Sequence, residues 1–331
     1  MDCSAHTWAL VLAAGDGRRL SALTTDATGR AVPKQFCSLD GGSSLLQATI
    51  ARAQSIADQR HTSVIVAGDH RRWWWHTLQN LPKVNIVVQP HNRGTANGIL
   101  LQLLHIELLD REAEVVLLPS DHFVVDEGVL TNAVRQALVH VRIAPRQIVL
   151  LGMVPGSPDP DLGYIVPGRP DGRGTHEVRA FVEKPARAKA EVLIERGALL
   201  NAFILTAKCR ALLDLFSQTL PDVLASMRQA LDWRSDRGLE LAKLYERLPV
   251  CDFSRQVLEK THGQVLRVMP VPECGWSDLG TPARLGQALA RIPGPARSLP
   301  RRAVGVKARV DLAINYQRAT GSHSSEMRAI G

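Results

Sequence analysis

The sequence predicts an α/β fold with a mostly parallel sheet flanked by helices, on the basis of three observations. Short apolar or β-branched runs alternate with segments of helical period from residue 8 onward. The early strand-like runs are apolar nearly throughout, which is typical of strands covered on both faces. The chain has 331 residues, 45% hydrophobic and 22% charged, enough for one large α/β domain with an appendage or for two small domains.

The first half of the chain carries the clearest alternation. Strands are predicted at Trp8–Ala13, Ser63–Ala67, Val84–Val88, Val115–Leu118 and Ile148–Leu151. Helices are predicted between them at 44–59, 70–80, 95–109 and 127–141. This alternation indicates βαβ units and a largely parallel sheet. In such sheets ligands bind beyond the carboxyl ends of the strands.

The second half begins with a loop-rich stretch that contains five prolines between residues 155 and 170. Further strands are predicted at 163–166, 177–183 and Val265–Met269. Further helices are predicted at 186–196, 207–230, 236–247 and 281–290.

The net charge of +8 is concentrated in the last 41 residues. Residues 291–331 hold eight basic and two acidic residues, so the remainder of the chain is close to neutral. We therefore expect a folded domain over 1–290 and a basic, poorly ordered tail over 291–331. The tail is interpreted as a solvated extension, or alternatively as an arm that binds an anion or a partner. No nucleic-acid partner is expected, because no other feature supports a nucleic-acid binder.

Cysteine usage and the amino-terminal residues indicate the compartment. Five cysteines form no C-x-x-C pair, so a disulfide framework or zinc ribbon is not expected and a reducing compartment fits best. Met1–Thr7 lacks a basic leader region, and the apolar run Trp8–Ala14 is too short to span a bilayer. The sequence predicts a cytoplasmic protein without a membrane partner, and does not decide between monomer and homo-oligomer.

A glycine-containing loop follows the first strand. The segment Leu12–Leu20 reads L-A-A-G-D-G-R-R-L, and Pro33–Phe36 reads P-K-Q-F. Glycines after a buried strand allow backbone N–H groups to approach phosphate oxygens, and the nearby Arg and Lys would neutralise a polyphosphate. The dinucleotide fingerprint is absent, because position 20 is Leu, and the Walker P-loop is absent too.

Together these two segments resemble the signature of the sugar-phosphate nucleotidylyltransferases, a Rossmann-like family. The resemblance implies that Arg19 is the catalytic arginine and Lys34 the phosphate-binding lysine. It also implies a nucleotide-binding loop, formed by Ala13, Ala14, Gly15 and Gly17. The alternative interpretation is a tight turn with basic residues on the surface.

The segment Gln89–Ala96 follows the third predicted strand and opens a helix. The resemblance implies that it holds the nucleotide base, through Gln89, Arg93, Gly94 and Thr95. The run Asn-Arg-Gly-Thr-Ala is most similar to guanylyltransferases that act on mannose 1-phosphate. The favoured substrates are therefore GTP and mannose 1-phosphate. The alternative interpretation is an ordinary strand–turn–helix with Thr95 as N-cap.

Two aspartates are expected to bind a metal ion. Asp121 ends an apolar strand, where a carboxylate could hold a hard cation. Asp278 lies in the run G-W-S-D-L-G over 275–280. The resemblance implies that this pair binds Mg²⁺, whereas the alternative interpretation is that both cap turns or helices. His122 is interpreted as a loop residue, because no second His or Cys is spaced to complete a zinc site.

Three segments are similar to the family's sugar-phosphate site, namely Gly163–Ile165, Phe181–Pro185 and Leu200–Phe203. The resemblance implies that Gly163, Glu183, Lys184 and Asn201 contact the sugar phosphate. The segment Leu200–Phe203 departs from the family pattern W-N-S-G and keeps only Asn201, which puts the identity of the sugar in doubt. Asp252–Arg255 also resembles a family segment and is assigned no catalytic role.

The resemblance spans residues 10–281 and implies nucleotidyl transfer, with Arg19, Lys34, Asp121 and Asp278 as catalytic residues. The sugar phosphate would attack the α-phosphorus directly, and pyrophosphate would leave. Two alternatives stay open. One is the same chemistry on glucose 1-phosphate with UTP, dTTP or ATP, and the other is a regulatory relative that binds nucleotide-sugar without turnover. The isomerase domain of longer family members is not expected.

Overall fold

The computed structural model describes residues 5–17, 24–25, 29–232, 237–261 and 265–292. These residues form two compact units. The larger unit contains residues up to 15, 49–120 and 126–274, and the smaller unit contains residues 16–48, 121–125 and those from 275 onward. The predicted tail lies outside the described residues from position 293, so the structure leaves that prediction untested.

The larger unit is built on a nine-stranded sheet in the order β3-β2-β1-β4-β8-β5-β9-β7-β6. Its strands are β1 Thr7–Ala13, β2 Thr62–Ala67, β3 Ile86–Gln89, β4 Glu114–Pro119, β5 Ile148–Met153, β6 Gly163–Pro170, β7 His176–Glu183, β8 Leu199–Lys208 and β9 Leu266–Val271. Every strand predicted from the sequence is present. The α/β fold class is confirmed.

The sheet is mixed rather than mostly parallel. Strands β3, β2, β1 and β4 run parallel to their neighbours, as does β5 to β9. The other five pairings are antiparallel. The reason is β8, which the sequence did not predict as a strand. It lies antiparallel between β4 and β5, and also pairs with β6, so it joins the parallel half to the second half of the sheet.

A helix is observed at each predicted position, but the helix predicted over 70–80 is only four residues long and the one predicted over 44–59 ends at residue 54. They are α1 Leu45–Gln54, α2 Arg71–Trp74, α3 Thr95–Leu109, α4 Glu127–Ile143, α5 Arg187–Glu195, α6 Cys209–Thr219, α7 Pro221–Ala230, α8 Arg237–Arg247 and α9 Pro282–Ala290. The single helix predicted over 207–230 is two helices. Pro221 provides no N–H, and Leu220 has the non-helical angles φ −139° and ψ 55°, so α6 ends there and α7 begins with proline at its first position.

The main core lies in the larger unit and is formed by β-strand residues together with α3, α6 and α7. Helix α3 is buried on nearly every side, with ten buried residues out of fifteen. Each fully buried Leu or Ile contributes roughly 1.5–3 kcal/mol relative to exposure. The smaller unit has its own apolar cluster, formed by Leu45, Leu279, Leu285 and Ala288. Within the described residues, no helix combines the length and apolarity that crossing a bilayer requires.

Candidate active site

The glycine loop packs against the P-K-Q-F turn in the smaller unit. Gly17 has φ +63°, and a Cβ placed on it would lie 2.8 Å from the backbone N of Lys34. A side chain at position 17 would therefore be strained and would collide with backbone. The two halves of the sequence signature thus meet in space. Ala13 ends β1, and Ala14 and Gly15 follow it directly. Arg19 lies outside the described residues.

Lys34 is the centre of a charged cluster that also contains Asp121 and Asp278. Its Nζ lies 2.9 Å from Asp121 Oδ2 and donates a hydrogen bond of 2.5 Å to the main-chain oxygen of Asp278. The Lys34 side chain is only 9% exposed, whereas that of Asp121 is 40% exposed. The structure therefore brings together three of the four predicted catalytic residues.

The electrostatics of this cluster favour an ionised Asp121. Desolvation opposes ionisation, but the Lys34 ammonium and His122 outweigh it and hold the pKa of Asp121 below its ordinary value. His122 is itself oriented by Trp276, whose indole Nε1 donates to His122 Nδ1 over 3.2 Å.

A short β-bridge aligns the two aspartate segments. The N–H of Phe123 donates to the oxygen of Ser277 over 2.8 Å, and the N–H of Ser277 donates back over 2.9 Å. Asp278 Oδ1 accepts the N–H of Gly280 and lies 3.0 Å from Arg284 Nε. Sequence reasoning missed Arg284, because a single arginine in the first turn of α9 has no pattern that links it to Asp278.

The nucleotide-binding segment lies in the larger unit, at the end of β3 and the start of α3. Gln89 is the last residue of β3 and is only 2% exposed. Its Oε1 is buried and has no hydrogen-bond partner among the described residues. Buried polar atoms are normally paired, so an orphan amide oxygen here is consistent with a ligand that completes the pair.

The start of α3 corrects one alternative and gives Arg93 a structural partner. The N-cap is Gly94, with φ +89°, and Thr95 is the first helical residue. The alternative of Thr95 as N-cap is therefore wrong. The Arg93 guanidinium donates through Nε and Nη2 to the oxygens of Tyr245 and Glu246, over 2.7 and 2.8 Å. These carbonyls lie in the last turn of α8, where a cation is favourable.

The four residues assigned to the sugar phosphate lie in the larger unit. A Cβ on Gly163 would lie 2.6 Å from Glu183 Oε2 and 3.5 Å from Asn201 Cβ, so a side chain at position 163 would displace the Glu183 carboxylate from this position. Lys184 Nζ is 3.5 Å from Glu183 Oε1. Burial raises the pKa of Glu183. The Lys184 ammonium lowers this pKa, and the Asp252 carboxylate raises it further.

Strained backbone occurs at or next to the predicted site residues. Among the described residues, the non-glycine residues with positive φ are Lys184 at 48°, Phe203 at 56° and Leu279 at 50°. Lys184 is itself a predicted contact, Leu279 follows Asp278, and Phe203 stands where the family pattern has glycine. A left-handed residue with a side chain costs about 1–3 kcal/mol and is common at functional sites. The sequence signal for Phe203 was the departure from W-N-S-G.

The two aspartates fit a magnesium site by their donor chemistry. Among the described residues, no three His, Cys, Asp or Glu side chains are grouped to hold a metal. Mg²⁺ needs fewer protein ligands, since it is usually bound by one or two carboxylates, with water and substrate phosphates at its other positions.

The fold is similar to solved structures of nucleotide-sugar enzymes. A structure of mannose-1-phosphate geranyltransferase from Thermus thermophilus has a TM-score of 0.74 and 28% identity, and covers 88% of this chain and 81% of that one. A UDP-glucose pyrophosphorylase complexed with UDP-glucose has a TM-score of 0.55 at 12% identity, over 86% of this chain and 97% of that one, which bears on the fold alone. The fold is thus of the nucleotide-diphospho-sugar transferase type.

Residues 8–293 match the nucleotidyl transferase family, and the chain belongs to that family. The resemblance found from the motifs is thereby confirmed. The mannose-1-phosphate guanylyltransferase ManC of Salmonella typhimurium is 30% identical over 298 residues, which cover 86% of this chain and 60% of that protein. The mannose-1-phosphate guanylyltransferase of Escherichia coli K12 is 29% identical over 286 residues, which cover 82% of this chain and 57% of that protein. The chain thus spans about 60% of the length of these curated relatives.

Proposed function

We propose that this chain transfers a guanylyl group from GTP to mannose 1-phosphate, with release of pyrophosphate and formation of GDP-mannose. The observation that carries the proposal is the cluster of Lys34, Asp121 and Asp278, in which residues 244 positions apart are joined by one buried ammonium. Membership of the nucleotidyl transferase family and the guanylyltransferase relatives support the same reaction. The folded domain is proposed to extend over 1–290, with 291–331 as an appended basic tail.

The proposed reaction joins two anions, so its main requirements are charge neutralisation and alignment. A phosphate oxygen of mannose 1-phosphate forms a bond to the α-phosphorus of GTP, and the bond from that phosphorus to the β-phosphate oxygen breaks. The attacking oxygen is already ionised near neutral pH, so the reaction needs no general base. Arg19 and Lys34 neutralise the transferring and leaving phosphates, and Lys184 neutralises the sugar phosphate.

Mg²⁺ is proposed to be held by Asp121 and Asp278, where it would supply Lewis-acid stabilisation of phosphate charge. The ionised state of Asp121 favours this role. Gln89, Arg93, Gly94 and Thr95 are proposed to hold the base end of the nucleotide, together with the loop Ala13–Gly17 at its phosphates. Gly163, Glu183 and Asn201 are proposed to hold the sugar. A cytoplasmic location is proposed because the four described cysteines are free thiols.

The first measurement is pyrophosphate release with Mg²⁺, mannose 1-phosphate and each of GTP, ATP, UTP, CTP and dTTP in turn. Release with GTP alone supports the proposal. Release with another triphosphate keeps the reaction and rejects the interpretation of residues 89–96. Activity with glucose 1-phosphate but not mannose 1-phosphate would indicate that the departure of Leu200–Phe203 from the family pattern changes which sugar is accepted. Nucleotide binding without any turnover would favour the regulatory relative.

A further inference from the structure

The segment Pro249–Glu259, which the mechanism does not use, lies against the nucleotide-binding residues. The N–H of Cys251 donates to the oxygen of Arg93, and the N–H of Ala96 donates to the oxygen of Cys251, each over 3.0 Å. Asn97 Nδ2 donates to the oxygen of Pro249 over 2.8 Å. This segment, called here the linking segment, therefore fixes the loop that opens α3.

Gly94 shows how close this contact is. A Cβ on Gly94 would lie 2.9 Å from the backbone N of Cys251 and would collide with the Cys251 carbonyl oxygen. The positive φ of Gly94 and the lack of space make glycine necessary there. The loop Arg93–Ala96 and the linking segment are thus joined by main-chain hydrogen bonds and by close backbone packing.

The same segment reaches the sugar residues at its other end. Glu183 donates its backbone N–H to Glu259 Oε1 over 3.3 Å. The rings of Phe253 and Phe203 make an edge-to-face contact with centroids 6.1 Å apart. Phe203 in turn donates its N–H to Asn201 Oδ1 over 3.0 Å, which orients the Asn201 amide.

Phe253 is the residue at which both sets of contacts meet. Its N–H donates to Thr95 Oγ1 over 2.9 Å, while its ring contacts Phe203. It is 1% exposed and is followed by a π-helical turn, Ser254–Leu258. Such turns are rare in proteins as a whole, and those that occur often lie at functional sites.

We propose that Phe253 is a positioning residue that couples occupancy of the nucleotide site to the geometry of the sugar site. This inference rests on the proposed function and deepens it. A nucleotide that orders Thr95 also fixes the backbone of Phe253, and the Phe253 ring then holds Phe203 and the Asn201 amide in one orientation. Because coupling between two bound ligands is reciprocal, mannose 1-phosphate must tighten nucleotide binding by the same factor.

The test measures this coupling factor by calorimetry. The probe is guanosine 5′-[α,β-methylene]triphosphate, which cannot release pyrophosphate, titrated with and without saturating mannose 1-phosphate. In the unaltered chain we expect mannose 1-phosphate to lower the Kd of the analogue about fivefold or more. In Phe253→Leu and in Thr95→Val the factor should fall to about one, since the ring contact or the Oγ1 acceptor is lost.

Two matched variants separate this role from a structural one. Phe216→Leu truncates another fully buried ring, which contacts Phe253 at 5.8 Å, and should keep the coupling factor despite a comparable loss in Tm. Thr95→Ser retains the acceptor and should rescue the factor that Thr95→Val loses.

The outcomes distinguish the two proposals. An unaltered factor in Phe253→Leu, or a factor of one in an unaltered chain that still releases pyrophosphate, overturns the coupling alone. If the unaltered chain binds neither ligand and releases no pyrophosphate, the proposed function fails and the coupling falls with it.

Discussion

Two clusters of predicted site residues are stabilised in different ways. One is Lys34, Asp121 and Asp278 in the smaller unit, and the other is Gly163, Glu183 and Asn201 in the larger unit. Lys34, Asp121 and Asp278 are held by opposite charges at hydrogen-bond distance. Gly163, Glu183 and Asn201 instead pack closely together beside strained backbone at Lys184 and Phe203, and Glu183 Oε1 lies 3.5 Å from its nearest ion-pair partner, Lys184 Nζ. The pKa shifts follow this difference, since the pKa of Asp121 is lowered and that of Glu183 is raised. Charge pairing suits a site for reacting phosphates, whereas shape suits a site that selects a sugar.

The largest effect is expected at the phosphate end of the reaction. Arg19→Ala should lower kcat/KM about 10²–10³-fold, because one charged donor to the transferring phosphates is removed. Steady-state pyrophosphate release measures this, with Arg18→Ala as the neighbouring control. Near-normal turnover of a folded Arg19→Ala protein would refute the assignment.

Lys34→Gln should lower kcat/KM by about 10²-fold, because it removes the ammonium that joins the two aspartate segments. Lys83→Gln, at an exposed position, is the control and should leave kinetics unchanged. A loss confined to the KM for the sugar phosphate would mean that Lys34 serves the sugar end instead.

Glu183→Gln should raise the KM for the sugar phosphate about tenfold, since a charged acceptor for sugar hydroxyls is lost. The pKa of Glu183 is raised by burial, so in the unaltered chain KM should rise as pH falls toward that pKa. The variant should lack this rise in KM on the acid side of neutral pH. Glu195→Gln, exposed on α5, is the control, and an acid limb that persists in Glu183→Gln would assign it to another group.

The smallest effect expected is a pair of opposite shifts in Tm, each about 1–3 °C at pH 7.5 without added metal. A lowered folded pKa stabilises the fold above the unfolded pKa, so Asp121→Asn should lower Tm. A raised folded pKa means that ionisation opposes folding at neutral pH, so Glu183→Gln should raise Tm.

As the pH is lowered, the Glu183→Gln shift should shrink before the Asp121→Asn shift does, because the pKa of Glu183 is raised and that of Asp121 is lowered. Glu191→Gln provides an exposed control for loss of one negative charge. If Asp121→Asn and Glu183→Gln shifted Tm in the same direction, the proposed electrostatic difference between the two clusters would be wrong.

The sequence predicted the elements whose pattern is local. The bounds predicted for α3 are those observed, because its apolar run is long and bounded by Gly94 and Asp110. The split at Pro221 was missed, although proline is the residue that forces it. Strand β8 was missed, although its run L-L-N-A-F-I-L-T-A-K is buried along nearly its whole length like the strands that were predicted, because an apolar run without a period-two pattern does not by itself distinguish a strand from a buried helix.

The site was predicted at the level of residues but not of contacts. Lys34, Asp121 and Asp278 are joined as the motifs implied. The partners of Asp278 and Arg93 depend on tertiary packing, so no local pattern signals Arg284 or the carbonyls of Tyr245 and Glu246. The linking segment was seen as a resemblance without a role, since its contacts join residues more than 150 positions apart.

The position of β8 has a consequence for the nascent chain. Strand β4 is complete at Pro119, but the strand that covers its other edge starts only at Leu199, about 80 residues later. Translation at roughly 5–20 residues per second leaves that edge open for about 4–16 s on the ribosome. The residues of β4 that pair with β8 are Glu114, Val115, Val116 and Leu117, and all four are buried once folded. Unpaired strand edges template aggregation, so this edge of β4 is an aggregation site in the nascent chain until β8 emerges.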